Sequence, residues 1–174
     1  MPLVLLSAAG YEARERLRDG RVATLRAIRA DDKARVLAAF RALAAQSIYT
    51  RFFSMKRELG AEDLRRLTEV DQVRDVALVA VQGDEETFIG GGRYMASGAG
   101  AEVAFTVAED YKKLGIASRL LRHLAGIARG NGVARFEAFV LPENAAMLGV
   151  FERSGLPMRT RRESGQVVVT LELG

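Results

Sequence analysis

Along the chain the apolar positions repeat at two spacings, and each switch between them marks a new element. Val22 to Ile28 alternates, with Ala23, Leu25 and Ala27 facing away from Val22, Thr24, Arg26 and Ile28, and predicts a strand. From about Asp32 to Ala45 the spacing turns helical through Val36, Leu37, Phe40, Leu43 and Ala44, behind an Asp31-Asp32 pair suited to an N-cap. Gln46 to Lys56 is irregular. Glu62 to Val70 is helical, with Leu64, Leu67 and Val70 on one face. Asp75 to Val81 is almost wholly apolar and reads as a buried strand, turned by Gln82–Glu86 into a partner over Thr87–Ala96. Gly90-Gly91-Gly92 inside that partner predicts a bulge or a close backbone approach. Gly98-Ala99-Gly100 turns into a strand over Glu102–Val107. A helical stripe then runs through Ile116, Leu120, Leu121, Leu124, Ile127 and Ala128 to a Gly130-Asn131-Gly132 stop. A strand at Phe136–Leu141, a helix at Ala145–Arg153 and a hairpin of Met158–Arg162 with Val167–Leu173 complete the order.

That order is three meandering strands followed by a strand–helix–strand crossover. It predicts an α/β (α+β) fold: a mixed, mostly antiparallel sheet of about seven strands with helices on both faces. The length, 174 residues, fits one domain over 21–174 with an N-terminal extension over 1–20, where Arg14, Glu15, Arg16, Arg18 and Asp19 make a charged run.

Composition removes several chemistries. There is no cysteine and one histidine, so disulfides, thiolate metal sites and a cysteine nucleophile are out, and no metal site is expected. His123 lies one residue off the apolar stripe and reads as a surface residue. Net charge is only +4, too mild to imply nucleic acid. Tyr49, Phe52 and Phe53 stand among Arg51, Lys56 and Arg57, a mixture that suits either base stacking or ordinary core packing. No basic segment precedes the short apolar run Leu3-Val4-Leu5-Leu6, and no run approaches the ~20 apolar residues of a membrane span. These features read as a cytoplasmic protein.

The stretch with chemistry in it is Tyr111 to Leu121. A strand runs through Lys112-Lys113-Leu114-Gly115 into a helix, and a helix start offers unpaired N–H groups and a positive dipole end to an anion such as pyrophosphate. Lys112, Lys113, Arg119 and Arg122 add positive charge, with no acidic residue between Asp110 and Glu137. A plain connecting loop with solvated lysines is the alternative.

Lys112-Lys113-Leu114-Gly115-Ile116-Ala117 resembles the acyl-CoA loop Gln/Arg-x-x-Gly-x-Gly/Ala of the GCN5-related N-acetyltransferases. Asn144, Phe151 and Gly155-Leu156 resemble that family's second motif. Within the family, Leu25–Arg29, Tyr49–Phe53, Ala101–Phe105 and Phe136–Ala138 are similar to bacterial protein lysine acetyltransferases. The resemblance implies acetyl-CoA as cosubstrate and an amine acceptor, a protein lysine or a small molecule, with no nucleic acid or membrane partner; homodimerisation is left open. It implies a cofactor site at Phe105, Thr106, Val107, Lys112, Lys113, Leu114, Gly115, Ile116, Ala117, Ser118, Asn144 and Phe151. It further implies that the sheet splays between the strands at Glu102–Val107 and Phe136–Val140, leaving a backbone edge for pantetheine and an N–H for the thioester oxygen.

Glu102, at the start of that strand, matches the family position of a general base, and partial burial beside Val103, Ala104 and Phe105 would tune it. Phe151 stands where many relatives carry a tyrosine as general acid, and phenylalanine donates no proton. Without a cysteine, direct attack in a ternary complex is expected. A non-catalytic acyl-CoA-binding module is the rival reading from another class, and a nucleic-acid-binding domain is a third.

Overall fold

The computed structural model describes residues 5–43 and 58–174. The Gln46–Lys56 stretch with Tyr49, Phe52 and Phe53, and the last residues of the helix expected to reach Ala45, lie outside them. Among the described residues eight strands form one sheet, one more than expected: β1 (Glu12–Arg16), β2 (Val22–Ala27), β3 (Asp75–Gln82), β4 (Thr87–Ser97), β5 (Gly100–Val107), β6 (Arg135–Val140), β7 (Met158–Glu163) and β8 (Gln166–Glu172). Their spatial order is β1-β2-β3-β4-β5-β6-β8-β7. Every neighbouring pair is antiparallel except β5 and β6, which the crossover makes parallel. Among the described residues four helices accompany the sheet: α1 (Lys33–Ala42), α2 (Ala61–Thr68), α3 (Ile116–Gly130) and α4 (Ala145–Glu152).

Strand alternation sorts side chains onto two faces. One face carries Leu78, Ala80, Ile89, Tyr94, Val103, Phe105 and Phe136, which pack with Leu120, Leu121 and Leu124 of α3 and Phe151 of α4. The other carries Ile28, Ala77, Val79 and Val81, which pack with Val36 of α1, Val70 and Phe88. Leu120 and Leu124 are wholly buried, each contributing about 1.5–3 kcal/mol of apolar transfer.

The glycine run in β4 serves close packing. A Cβ on Gly92 would stand 2.8 Å from Phe105 Cδ1 and 2.9 Å from Leu124 Cδ1, and one on Gly90 would stand 2.7 Å from Ile116 Cγ2. The bulge is there too: Ala80 pairs Gly90 while Val81 pairs Phe88, leaving Ile89 as the extra residue.

β1 is the strand that the charged run hides. Glu12, Arg14 and Arg16 are exposed and Ala13 and Glu15 half-buried, so no apolar alternation announces it. It pairs with β2, Glu12 opposite Arg26, and Leu17 beyond it is buried in the core. His123 is not the surface residue its position suggests. Its side chain is only 16% exposed, because β1 lies against that part of α3. The Glu15 carboxylate only accepts, so Nε2 of His123 donates to it at 2.8 Å, while Nδ1 is hydrogen-bonded to the Tyr11 hydroxyl.

Asp32 is the N-cap residue of α1 by position, but its side chain makes no cap hydrogen bond to that helix. It lies fully buried and takes two hydrogen bonds from Arg26, itself 4% exposed, at 2.9 and 2.8 Å, with a third from the Arg29 N–H at 2.8 Å. Asp32→Ala leaves the buried Arg26 guanidinium without its main partner, and an expected loss of about 3–5 kcal/mol is read as a shift in urea midpoint. Burial pushes the Asp32 carboxyl up, but the Arg26 and Arg29 hydrogen bonds and charges outweigh it and hold the group below the usual aspartate range. With the folded value depressed, the stabilisation is complete at neutral pH. It is lost as pH falls from about 4 down through the folded value, so the gap between wild type and variant narrows in acid.

Candidate active site

The pairing of β5 with β6 is short. It comprises Gly100–Arg135, Ala101–Phe136 and Glu102–Glu137 and then stops, although β5 runs on to Val107 and β6 to Val140. The two strands therefore fork. Beyond the fork, the β6-facing backbone edge of residues 103–107 has no strand partner among the described residues, and Glu102 stands at its apex. Glu102 shares its sheet face with Ala104 and Thr106, opposite the face that α3 covers. It is exposed, in contrast to the partial burial expected of it, because the core residues Val103 and Phe105 point the other way.

At the open end of the fork lies a cavity of about 350 Å³. Phe105, Thr106, Val107, Lys112, Lys113, Gly115, Ile116, Ala117, Ser118 and Asn144 line it, together with Arg18, Tyr111, Ala146, Met147, Val150 and Arg153. Of the residues expected at a cofactor, Leu114 and Phe151 are not in the lining. Leu114 turns its carbonyl to the Arg18 N–H at 3.2 Å. Phe151 is 1% exposed and packs its ring 6.1 Å from that of Phe105.

The loop that builds the cavity floor is shaped by two left-handed residues, Lys113 at φ 69° and Gly115 at φ 86°. Gly115 is the N-cap of α3. The first helical bond is Arg119 N–H to Gly115 O at 3.2 Å, so the N–H groups of Ile116, Ala117 and Ser118 precede it and open onto the cavity those residues line. Among the described residues, four cations and no carboxylate line the cavity: Arg18, Lys112, Lys113 and Arg153. The other two expected cations are used elsewhere. Arg119 donates to Gly115 O at 2.9 Å and to Arg16 O at 3.0 Å, which fixes the loop's carbonyls. Arg122 pairs with Glu15 on β1. Lys112 pairs with Glu109 at 2.7 Å.

The remaining lining groups are positioned by their own elements. Asn144 Oδ1 caps α4 by accepting from the Met147 N–H at 3.2 Å while the residue lines the cavity. The Tyr111 hydroxyl donates to Gln82 Oε1 at 2.8 Å, and the Arg21 guanidinium lies 4.7 Å from its ring centre, so this phenol is already committed. Arg18 and Arg153 are the two cations that sequence reasoning misses. Arg153 has a local signal, since it sits just past the helix that Asn144 opens. Arg18 has none.

The arrangement sets N–H groups and cations suited to an anion at one end, an unpaired strand edge beyond, and a carboxylate at the apex. No group of metal-ligating residues occurs among the described residues, and no helix among them is long and apolar enough to cross a membrane.

The sequence profile of the acetyltransferase (GNAT) family matches residues 42–156. The GNAT domain of S. lividans PAT is similar in structure, with a TM-score of 0.87 and 37% identity over 92% of this chain and 96% of that one. Acetyltransferase Pat of Mycolicibacterium smegmatis is 34% identical over 74% of this chain; the match spans only 39% of that protein's length. An acetyltransferase of Pseudomonas aeruginosa is 30% identical over 91% of this chain and 88% of its own.

Proposed function

The chain belongs to the acetyltransferase (GNAT) family, and from that premise we propose that it transfers the acetyl group of acetyl-CoA to the side-chain amine of a protein lysine, with Glu102 as general base. The observation that carries this reading is the fork with Glu102 at its apex and the cationic cavity at its mouth. The N–H groups at the start of α3, with Lys112 and Lys113 beside them, take the pyrophosphate. The open edge of Phe105-Thr106-Val107 takes the pantetheine amides, and an N–H of β5 donates to the thioester oxygen as its charge grows. Asn144 braces the loop side of the cavity.

A lysine ammonium must lose a proton before its nitrogen can attack. Glu102 takes that proton, the nitrogen bonds to the thioester carbon, and the carbon–sulfur bond breaks as the tetrahedral intermediate collapses. The attacking nitrogen sheds its second proton to solvent as the neutral amide forms, and the sulfur leaves as thiolate. Phe151 is buried against Phe105, and the Tyr111 hydroxyl is bonded to Gln82, so no phenol is assigned to protonate it, and the moderate pKa of a thiol lets it leave unassisted. Attack is direct, within a ternary complex.

The test is the initial rate of CoA release with acetyl-CoA across a panel of lysine-bearing proteins and small amines. The expected result is release that depends on acetyl-CoA and is stimulated by the proteins. Stimulation by small amines alone would transfer the acceptor to that class. Acetyl-CoA binding without release on any acceptor would make the chain a non-catalytic acyl-CoA-binding module.

A further inference from the structure

We propose that Arg18, from the turn between β1 and β2, is a phosphate-binding residue of the acetyl-CoA site, so that the N-terminal hairpin completes the pyrophosphate cradle. The inference rests on the cavity holding acetyl-CoA, as read above.

The turn is built to aim this side chain. Leu17 is buried, and its N–H donates to Arg21 O at 2.7 Å; Gly20 takes φ 93° and its N–H donates to Leu17 O at 3.0 Å. Asp19 locks the exit of the turn, its carboxylate accepting from the Arg21 N–H and Nε at 3.0 and 2.6 Å. Between these anchors Arg18 reaches across to the acyl-CoA loop. Its N–H donates to Leu114 O at 3.2 Å and its Nη1 to Lys113 O at 3.1 Å.

Those two bonds leave most of the guanidinium uncommitted. Nε and Nη2 have no partner among the described residues, and the group lines the cavity. Nε lies 3.3 Å from where a Cβ on Gly115 would stand, so it covers the residue over which the loop must approach the phosphates. Arg119 approaches the same loop from the helix side, at Gly115 O. Together they engage the carbonyls of Lys113, Leu114 and Gly115, which leaves the cavity to N–H donors. The planar guanidinium holds a carbonyl with one nitrogen and presents others to an anion, which a lysine ammonium does less well.

Calorimetric titration of the full chain with CoA, and displacement of CoA by inorganic pyrophosphate, tests this without reference to turnover. Arg18→Ala is expected to weaken CoA and pyrophosphate by the same factor, about 10-fold, as the loss of hydrogen bonds to a charged group implies. Arg18→Lys recovers only part of the affinity, and the melting temperature changes little because the side chain is exposed. CoA affinity within about twofold of wild type in Arg18→Ala would overturn the proposal. So would a CoA loss that pyrophosphate does not share, since the effect would then not run through the phosphates. Wild-type protein that binds no CoA would overturn the reading of the cavity as a whole, a result distinct from binding that ignores Arg18.

Discussion

Glu102→Gln is expected to lower kcat by roughly 10²–10⁴-fold, the usual range for a positioned base, with acetyl-CoA affinity nearly unchanged. The amide keeps the size of the side chain and loses its basicity. Little structural cost accompanies the change, because the Glu102 side chain is exposed and makes no hydrogen bond or ion pair among the described residues. The loss should shrink at high pH, where more of the acceptor amine is already deprotonated. Full activity of the variant at neutral pH would assign the proton to another group or to water. Failure to bind acetyl-CoA would mark Glu102 as a structural residue of the fork.

Gly115→Val is expected to abolish acetyl-CoA binding in a protein that still folds. Gly115 sits at φ 86° and ψ 18°, a conformation that a β-branched residue adopts only with strain. A side chain there also enters occupied space: its Cβ would lie 2.0 Å from Arg119 Nη1 and 3.3 Å from Arg18 Nε. The Arg119 side chain can move, but moving it gives up its bonds to Gly115 O and to Arg16 O, which tie the loop to β1. Affinity within about threefold of wild type in a folded variant would place the phosphates elsewhere.

The family, the mixed sheet and the loop before α3 are legible in the sequence because each rests on local pattern. The strand over Glu102–Val107, the glycine before an apolar stripe, and Asn144 ahead of α4 are all read from neighbours a few positions apart. What escapes is what depends on long-range register. Arg18 meets Lys113 across 95 positions of chain, and no spacing rule connects them. β1 escapes because an edge strand needs no apolar alternation. His123 reads as a surface residue because the charged strand that covers it supplies its partners, Glu15 and Tyr11.

The charge of the loop is the subtler case. Counting cations along Lys112–Arg122 is sound, but only the folded chain reveals that Arg119 faces the loop's carbonyls and Arg122 faces Glu15. Their places in the cavity lining are taken by Arg18 and Arg153. Glu102 differs from expectation in its surroundings. Strand alternation sends Val103 and Phe105 into the core and leaves the carboxylate in solvent at the apex of the fork.

Isothermal titration of the full chain with acetyl-CoA tests the central claim most directly. One site per chain is expected in the wild type and none in Gly115→Val. No heat and no thermal shift with wild-type protein at about millimolar acetyl-CoA, a range that detects even weak binding, would contradict it.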